Sequence, residues 1–570
     1  MKTLIPPAED EHKRLPQATQ ELSVPEIDRI LQELSGTEIE KLIITLAEMD
    51  GEPLLPTKEL PTRYAVNTLA LTEEDLHART VLRRMFLKAG MTIEEHPLGL
   101  IATYEGENSK LPAIGMLSHY DSVPTAGMYD GTVGILSAIH IVQTLKKHRI
   151  KPRRSIKIIA LTGEESARFN IALFGSKGMF HGLSEAELKM HDSQGITIEN
   201  AIEEIGFDPN QVKKPRFSRK DFEAIIEFHV AQDDRFPDKL SVIEAIAAPE
   251  RYKLEIGRKP VETHKHKSTD RFLTLTVNGK TGHSGATPMG SRYRTDGLVL
   301  SAELITEIHS LNTQLAQQLG TKPPIVIGNL NIEGQAMNKI PGKVTIPVCI
   351  TGNDSAQVEK QLLELLARQQ TKLAKQYRNK SIIAVTTEQQ KQGTFYDPQV
   401  MQERQLKTMQ AIKDVNRIAN LCTRSKCVGT VTTYATANGV ITVGIDLRGI
   451  NETSRRRMIA KIKQEILATA DLKFSDPLPG SGLPEVMDRQ LVTQTQQVVQ
   501  KLGLPFIKTF SPAGHDIQNV RRAGIKTVMI QCPSRNGGIA HTPDEYSTPL
   551  DLEWGAKAMA ALVIELAEKS

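Results

Sequence analysis

Cysteine is scarce in this chain. Cys349, Cys422, Cys427 and Cys532 are the four in 570 residues, and they form neither a CxxC pair nor a regular framework. That excludes a disulfide-stapled scaffold and points to reduced thiols in a cytoplasmic protein. Charge of one sign is lacking as well: a formal net charge of +4 gives little reason to invoke nucleic acid or a membrane surface. The basic run KKHRIKPRRS, from Lys146 to Ser155, reads as a solvated helix end rather than a polyanion patch. Long apolar runs are also missing. The first residues, MKTLIPPAEDEHKRLPQ, have no continuous hydrophobic core of a signal peptide, and no stretch approaches the length of a membrane span.

What is present is ordinary globular composition, 39% hydrophobic and 24% charged, in a chain too long for one hydrophobic core. Four short apolar runs read as buried strands: AIGMLS (113–118), SIKIIALT (155–162), FEAIIEF (222–228) and IKTVMIQ (525–531). Between the first two, GILSAIHIVQTLKKH repeats its apolar residues at helical spacing. Strand, helix, strand predicts an α/β layer with a mainly parallel sheet and helices on both faces. Ligands gather at the carboxyl ends of such strands. Chemistry-bearing residues follow each run: His119 the first, Glu164 and Glu165 the second, His229 the third, and His541 the fourth at a distance.

The middle of the chain reads differently. RFLTLTVNGKTGHSG (271–285) alternates as a half-exposed strand, a helical pattern runs on from Asp296, and PIVIGNLNIEG and GKVTIPVCIT read as two more strands. The expected division is a discontinuous catalytic domain, 1–267 and 476–570, with a smaller α+β domain at 268–475 inserted as a lid. His264 and His266, in the lysine-rich segment GRKPVETHKHKST, read as solvated loop residues.

His119, Asp130, Glu165, His229 and His541 are the nitrogen and oxygen ligands that suit Zn²⁺ and also accept Mn²⁺ or Co²⁺. Five ligands exceed the needs of one open four-coordinate ion and suit two divalent ions per chain if one carboxylate bridges them. Asp121 can accept the second ring N–H of His119 and fix its tautomer. Glu164, beside a ligand, can act as general base.

The stretches SHYDSVPTAGMYDGTVG, ALTGEESARFN, GHSGATPMGSRYRTD, MNKIPGK, SPAGHDIQ and GIAHTPDEY resemble the di-metal aminoacylase/carboxypeptidase superfamily. Within it they are most similar to the branch of N-carbamoyl-L-amino-acid amidohydrolases, allantoate amidohydrolases and bacterial-type β-ureidopropionases. The resemblance implies that His119, Asp130 and His229 hold one metal and that Asp130 bridges to a second held by Glu165 and His541. It also implies that Glu164 is the general base, with Asp121 behind His119. His283 and Asn338 would reach the substrate from the lid, Gln232 would follow the ligand histidine, and Gly538 would line the pocket. The reaction implied is hydrolysis of a linear C–N bond in a small amide or ureido substrate bearing a carboxylate. A dipeptidase or aminoacylase would use the same machinery. A catalytically inactive binding homologue is disfavoured, because all five ligands and the Glu pair remain.

Two features depart from that branch. Ala231, Gln232 and Asp233 stand where it usually reads E-Q-G, and Thr351 stands where it expects an arginine. The lid region is also long and carries a faint repeat. GKVTIPVCITGNDSAQVEKQLLELL (342–366) and GVITVGIDLRGINETSRRRMIAKIKQEIL (439–467) both read as strand, turn and helix. The second copy has Arg448 in the arginine position, so two tandem copies, 268–380 and 381–475, are expected to act as a fused pseudo-dimer. The chain would then work as a monomer; an undivided lid would instead call for a homodimer.

Overall fold

The computed structural model describes residues 24–569 apart from 58–59, 170, 234, 258, 292–293, 378–381, 389–393, 424–426, 468–471 and 479–482. The four apolar runs form the centre of a nine-stranded sheet. There Ile156–Leu161, Ala113–His119, Phe222–Val230 and Thr527–Cys532 lie side by side and parallel. Every residue of the 113–119 and 527–532 strands is buried, which is why both read as unbroken apolar runs rather than alternating ones. Antiparallel strands close the flanks: Gly99–Tyr104 and Thr92–His96 on one side, Leu240–Ile246 on the other. Phe506–Ser511 pairs parallel to the 240–246 strand.

Neighbouring residues on a strand face opposite ways, and the 222–230 strand shows both covers. The Phe228 ring packs so closely on Gly555 of the helix Pro549–Glu568 that a β-carbon there would lie 2.1 Å from it. Glu227 points the other way and accepts from the amide of Ile517, which opens the helix Ile517–Arg522. The fold is thus an α/β layer with helices on both faces of a sheet that is parallel at its centre. No helix among the described residues is long and apolar enough to cross a membrane.

The lid has a separate core and two antiparallel arrays, one of five strands and one of four. One orders its strands Ile325–Ile327, Lys343–Ile350, Arg271–Asn278, Ile383–Glu388, with the short Asn331–Ile332 also on the 343–350 strand. Its helices are Gly297–Leu319 and Ser355–Tyr377. The other orders Cys427–Ala437, Val440–Gly449, Ala248–Ile256, Leu472–Phe474, with helices Pro398–Leu421 and Glu452–Leu467. Both follow strand-helix-strand-strand-helix-strand with the spatial order second, third, first, fourth. The two arrays thus share one connectivity and one strand order.

The arrays are nested rather than tandem. The first strand of the outer unit, 248–256, is cut off from the rest of that unit by the whole inner unit, 271–388. It hydrogen-bonds along its full length to the 440–449 strand, and its Tyr252, Leu254 and Ile256 lie in the lid core. Strand pairing thus places the 271–388 array between the first strand, 248–256, and the later strands of the other array.

Candidate metal centre and active site

Parallel strands end on a common edge, and the candidate ligands converge there. His119 and His229 close adjacent strands, and their Nε2 atoms stand 3.3 Å apart. Asp130 Oδ1 lies 3.1 Å from His229 Nε2 and 3.7 Å from His119 Nε2. Its other oxygen, Oδ2, lies 3.3 Å from His541 Nε2, which is 3.1 Å from Glu165 Oε1. The five residues therefore form two buried triads, His119–Asp130–His229 and Asp130–Glu165–His541, sharing the Asp130 carboxylate with one oxygen in each.

The donors are aimed from behind. Val230's carbonyl takes the Nδ1 side of His229 at 2.9 Å, leaving Nε2 for a ligand. Gly131, at φ +70°, lies so close under the His119 ring that a β-carbon would be 2.5 Å from it. His541 itself sits at φ +63°, a conformation a histidine rarely adopts without being held there. Asp121 stands behind His119 Nδ1 with both its backbone and its side chain. The acceptor nearest His119 Nδ1 is its backbone carbonyl, at 3.0 Å, while its carboxylate is 3.5 Å away. That carboxylate also accepts from the amides of Glu164 and Glu165, at 3.2 and 3.1 Å, and so fixes the turn that carries both glutamates.

A fit to divalent cations is evident from the charges. Asp130 Oδ1 is buried and accepts no hydrogen bond. Asp121, Asp130, Glu164, Glu165, Glu227, Asp516 and Glu545 are all buried around these histidines, more negative charge than a dry pocket holds without cations. Burial pushes the Glu164 carboxyl well above the ordinary carboxylate range; His119 opposes the shift, and Glu165, Asp516 and Asp121 add to it. Burial, followed by Asp130, lifts Glu545 to about 8.

Glu545 is a functional residue the sequence reading passed over. Its Oε1 accepts from the amides of Tyr129 and Asp130 at 2.8 and 2.6 Å, and its Oε2 accepts from His541 N at 3.4 Å, so one carboxylate positions a ligand of each triad. His515 was also missed. Its ring stands 4.7 Å from that of His229, and its Nε2 meets Ser511 Oγ at 2.8 Å. Gln232 donates to Asp130 Oδ2 at 2.7 Å, which makes it an orienting group for the bridge. Gly538 is buried in a turn closed by its own amide on Arg535 O, and no hydrogen bond among the described residues ties it to the triads.

The lid brings residues from both of its units. Asn338 of the inner unit donates to Glu165, and the His283 ring stands edge-on to His541 with centroids 4.8 Å apart. His283 Nδ1 accepts from the amides of Gly285 and Ala286, at 3.2 and 2.8 Å, so the neutral ring carries its proton on Nε2. Burial and then Arg448 hold its pKa well below the ordinary histidine value. Arg448 of the outer unit packs against Gly285 so tightly that a β-carbon there would lie 2.2 Å from its Cδ. It donates to Asp446 through Nε and Nη2, the latter at 2.9 Å. Arg251, fully buried on the neighbouring strand, faces the same Asp446, as well as Glu164 and Glu165. Arg448 and Arg251 thus both bear on Asp446 at this end of the site. Arg294 clamps the units together, donating to Thr430 of the outer unit and to the carbonyls of Ser284 and Thr287 of the inner. Thr351, by contrast, lies beside His264 and Asp270, at a separate cavity.

A family model described as Peptidase family M20/M25/M40 matches residues 115–565. A ureidoglycolate hydrolase of Arabidopsis thaliana is 30% identical over 305 residues, which are 51% of this chain and 58% of that protein. The chain thus spans less than two thirds of that relative. An N-carbamoyl-L-amino acid amidohydrolase of Geobacillus stearothermophilus is 28% identical over 326 residues, 57% of this chain and 72% of that protein. The crystal structure of AtUAH in complex with glyoxylate aligns with a TM-score of 0.55 at 21% identity, covering 95% of this chain and 100% of that one, a likeness of fold.

Proposed function

This chain belongs to peptidase family M20/M25/M40, and on that premise we propose that it is a metal-dependent amidohydrolase. Its substrate in this reading is a small molecule with an N-carbamoyl or ureido group and a carboxylate. The observation that carries the reading is the split of Asp130, one oxygen to each buried triad, beneath a lid edge that bears a neutral histidine and Arg448.

His119, Asp130 and His229 would hold one divalent cation and Asp130, Glu165 and His541 a second, Zn²⁺ by donor type, with Mn²⁺ or Co²⁺ accepted. When bound, such a pair supplies Lewis acidity and makes water nucleophilic at neutral pH. Glu164 takes the proton released as water attacks the carbamoyl carbon. It then delivers that proton to the departing nitrogen as the C–N bond breaks. His283, locked with Nε2–H outward, donates to the oxygen on which negative charge develops. Arg448, with Nη1 uncommitted among the described residues, takes the substrate carboxylate, a planar acceptor that suits a guanidinium fork. Asn338 and Gln232 keep Glu165 and Asp130 in place.

The test is a parallel assay of the purified protein with Zn²⁺ or Mn²⁺ on N-carbamoyl amino acids, allantoate, N-acyl amino acids and dipeptides. Preferred turnover of the first two supports the proposal. Preferred turnover of N-acyl amino acids or dipeptides would transfer the same machinery to an aminoacylase or dipeptidase and overturn it.

A further inference from the structure

We propose that the lid holds a structural metal site of its own, for a Zn²⁺-type cation, built from His264, His266, Asp270 and Cys349. These residues have no part in the reaction above. The expected solvated loop is instead folded against the inner unit's sheet. The side chains of His264 and His266 keep 19% and 18% exposure, Asp270 keeps 1%, and Cys349 is fully buried.

One donor atom from each of the four lies within 4.8 Å of all the others. His266 Nδ1 is 3.6 Å from Cys349 Sγ and 3.6 Å from Asp270 Oδ2, and His264 Nε2 is 3.9 Å from the same oxygen. The Cys349–His266 contact is at the length of a sulfur hydrogen bond, whereas a direct nitrogen–oxygen hydrogen bond would draw the two histidine–Asp270 pairs to about 2.7–3.2 Å. Separations nearer 3.3–3.8 Å are roughly the edges of a tetrahedron whose bonds to Zn²⁺ measure about 2.0–2.3 Å. Two of the polar atoms here, His264 Nε2 and Asp270 Oδ1, are buried without a hydrogen-bond partner among the described residues. Sulfur, two imidazoles and one carboxylate form a closed four-donor set of the kind that structural zinc takes, not the oxygen-rich set of Mg²⁺ or Ca²⁺. Lys267 N donates to Asp270 Oδ2 at 2.9 Å, and Phe272 and Phe395 wall the His266 ring at 5.2 and 5.4 Å, giving the site an orienting partner and an aromatic wall on one side.

The position explains what such a site would do. Nesting puts two described segments between the lid units, 259–270 and 394–397. The first segment supplies His264, His266 and Asp270, while the second lies against it through His264 N on Phe395 O and Asp397 N on Glu262 O, both at 2.9 Å. Cys349 comes from the inner sheet itself. A cation there would staple both segments to the unit that carries His283 and Asn338. The shared strand order also gives the site a counterpart. Counting from Gly342 and Gly439, Cys349 occupies the place of Asp446 and Thr351 that of Arg448, and the strand partners agree: Phe272 and Val326 flank Cys349 as Arg251 and Thr430 flank Asp446. One unit uses this position to hold a polar cluster at the active centre; the other uses it to hold a metal.

The experiment is cobalt substitution of the full-length protein, followed by near-ultraviolet absorption and elemental analysis. No thiol belongs to the catalytic triads, so a thiolate-to-cobalt charge-transfer band reports the lid site alone. The wild-type protein is expected to show the band, Cys349→Ser to lose it together with one ion per chain, and Asp130→Ala to retain it. His264→Ala, on a partly exposed loop, is expected to lose the same ion and carries the test if Cys349→Ser does not fold. Absence of the band in wild-type cobalt protein, its survival in Cys349→Ser, or an unchanged ion count in His264→Ala would overturn the proposal.

Discussion

At the scale of single residues, two neighbouring glutamates receive opposite tasks from one turn. Asp121 holds both amides, which sends the Glu165 side chain to His541 and leaves the Glu164 carboxyl without a histidine at bonding distance. Glu164→Gln is expected to keep the fold and the metal count while kcat falls about 10²–10⁴-fold, the usual size of general-base catalysis. Glu165→Gln is expected to lower metal occupancy as well, and equilibrium dialysis separates the two results. Glu545 supplies a third case. Removing its carboxylate in Glu545→Ala frees the Asp130 amide and His541 together. The expected loss is about 10–100-fold in metal affinity, as for orienting partners generally, read by titration with a chelator.

At the scale of elements, the helix Gly297–Leu319 packs on Pro398–Leu421, one helix from each lid unit, and His309 is buried between them with Nε2 3.1 Å from Gln405 Oε1. Burial pulls its pKa from 6.5 to about 4. Between those values the unfolded chain binds a proton that the folded chain refuses, so stability rises with pH across this window. The contribution is full above pH 6.5, is lost as the pH falls towards 4, and amounts to about 3 kcal/mol at most. His309→Leu is expected to flatten the fall in thermal midpoint between pH 7 and pH 4.5, measured by calorimetry. The repeated strand and helix at 342–366 and 439–467 were legible from local pattern. The nesting was not, because the 248–256 strand finds its partner nearly two hundred positions away, at 440–449, and local periodicity carries no information on pairing across that separation.

At the scale of the molecule, both lid arrays bring side chains towards the candidate site of the same chain. His283 and Asn338 come from the inner unit, Arg448 and Arg251 from the outer, and all face triads on the same chain's catalytic sheet. An equimolar mixture of His283→Ala and Arg448→Ala proteins is therefore expected to stay as inactive as either alone. Sites that borrowed the histidine from a second chain would recover activity on mixing. Arg448→Ala by itself is expected to raise KM for carboxylate-bearing substrates more than it lowers kcat, since its contact is made in the ground state as well.

The sequence by itself determined the catalytic sheet and its five candidate ligands. Buried parallel strands are written as contiguous apolar runs, and residues at their carboxyl ends must meet on one edge whatever the connections between them. Tertiary structure alone decided the rest. Burial turned Glu545 and Asp121 into holders of backbone amides, the 248–256 strand paired with 440–449, and the inner sheet brought His264 and His266, still partly exposed, near Asp270 and Cys349. Each of these depends on which distant segment covers a side chain, and that is set by packing, not by the residues on either side.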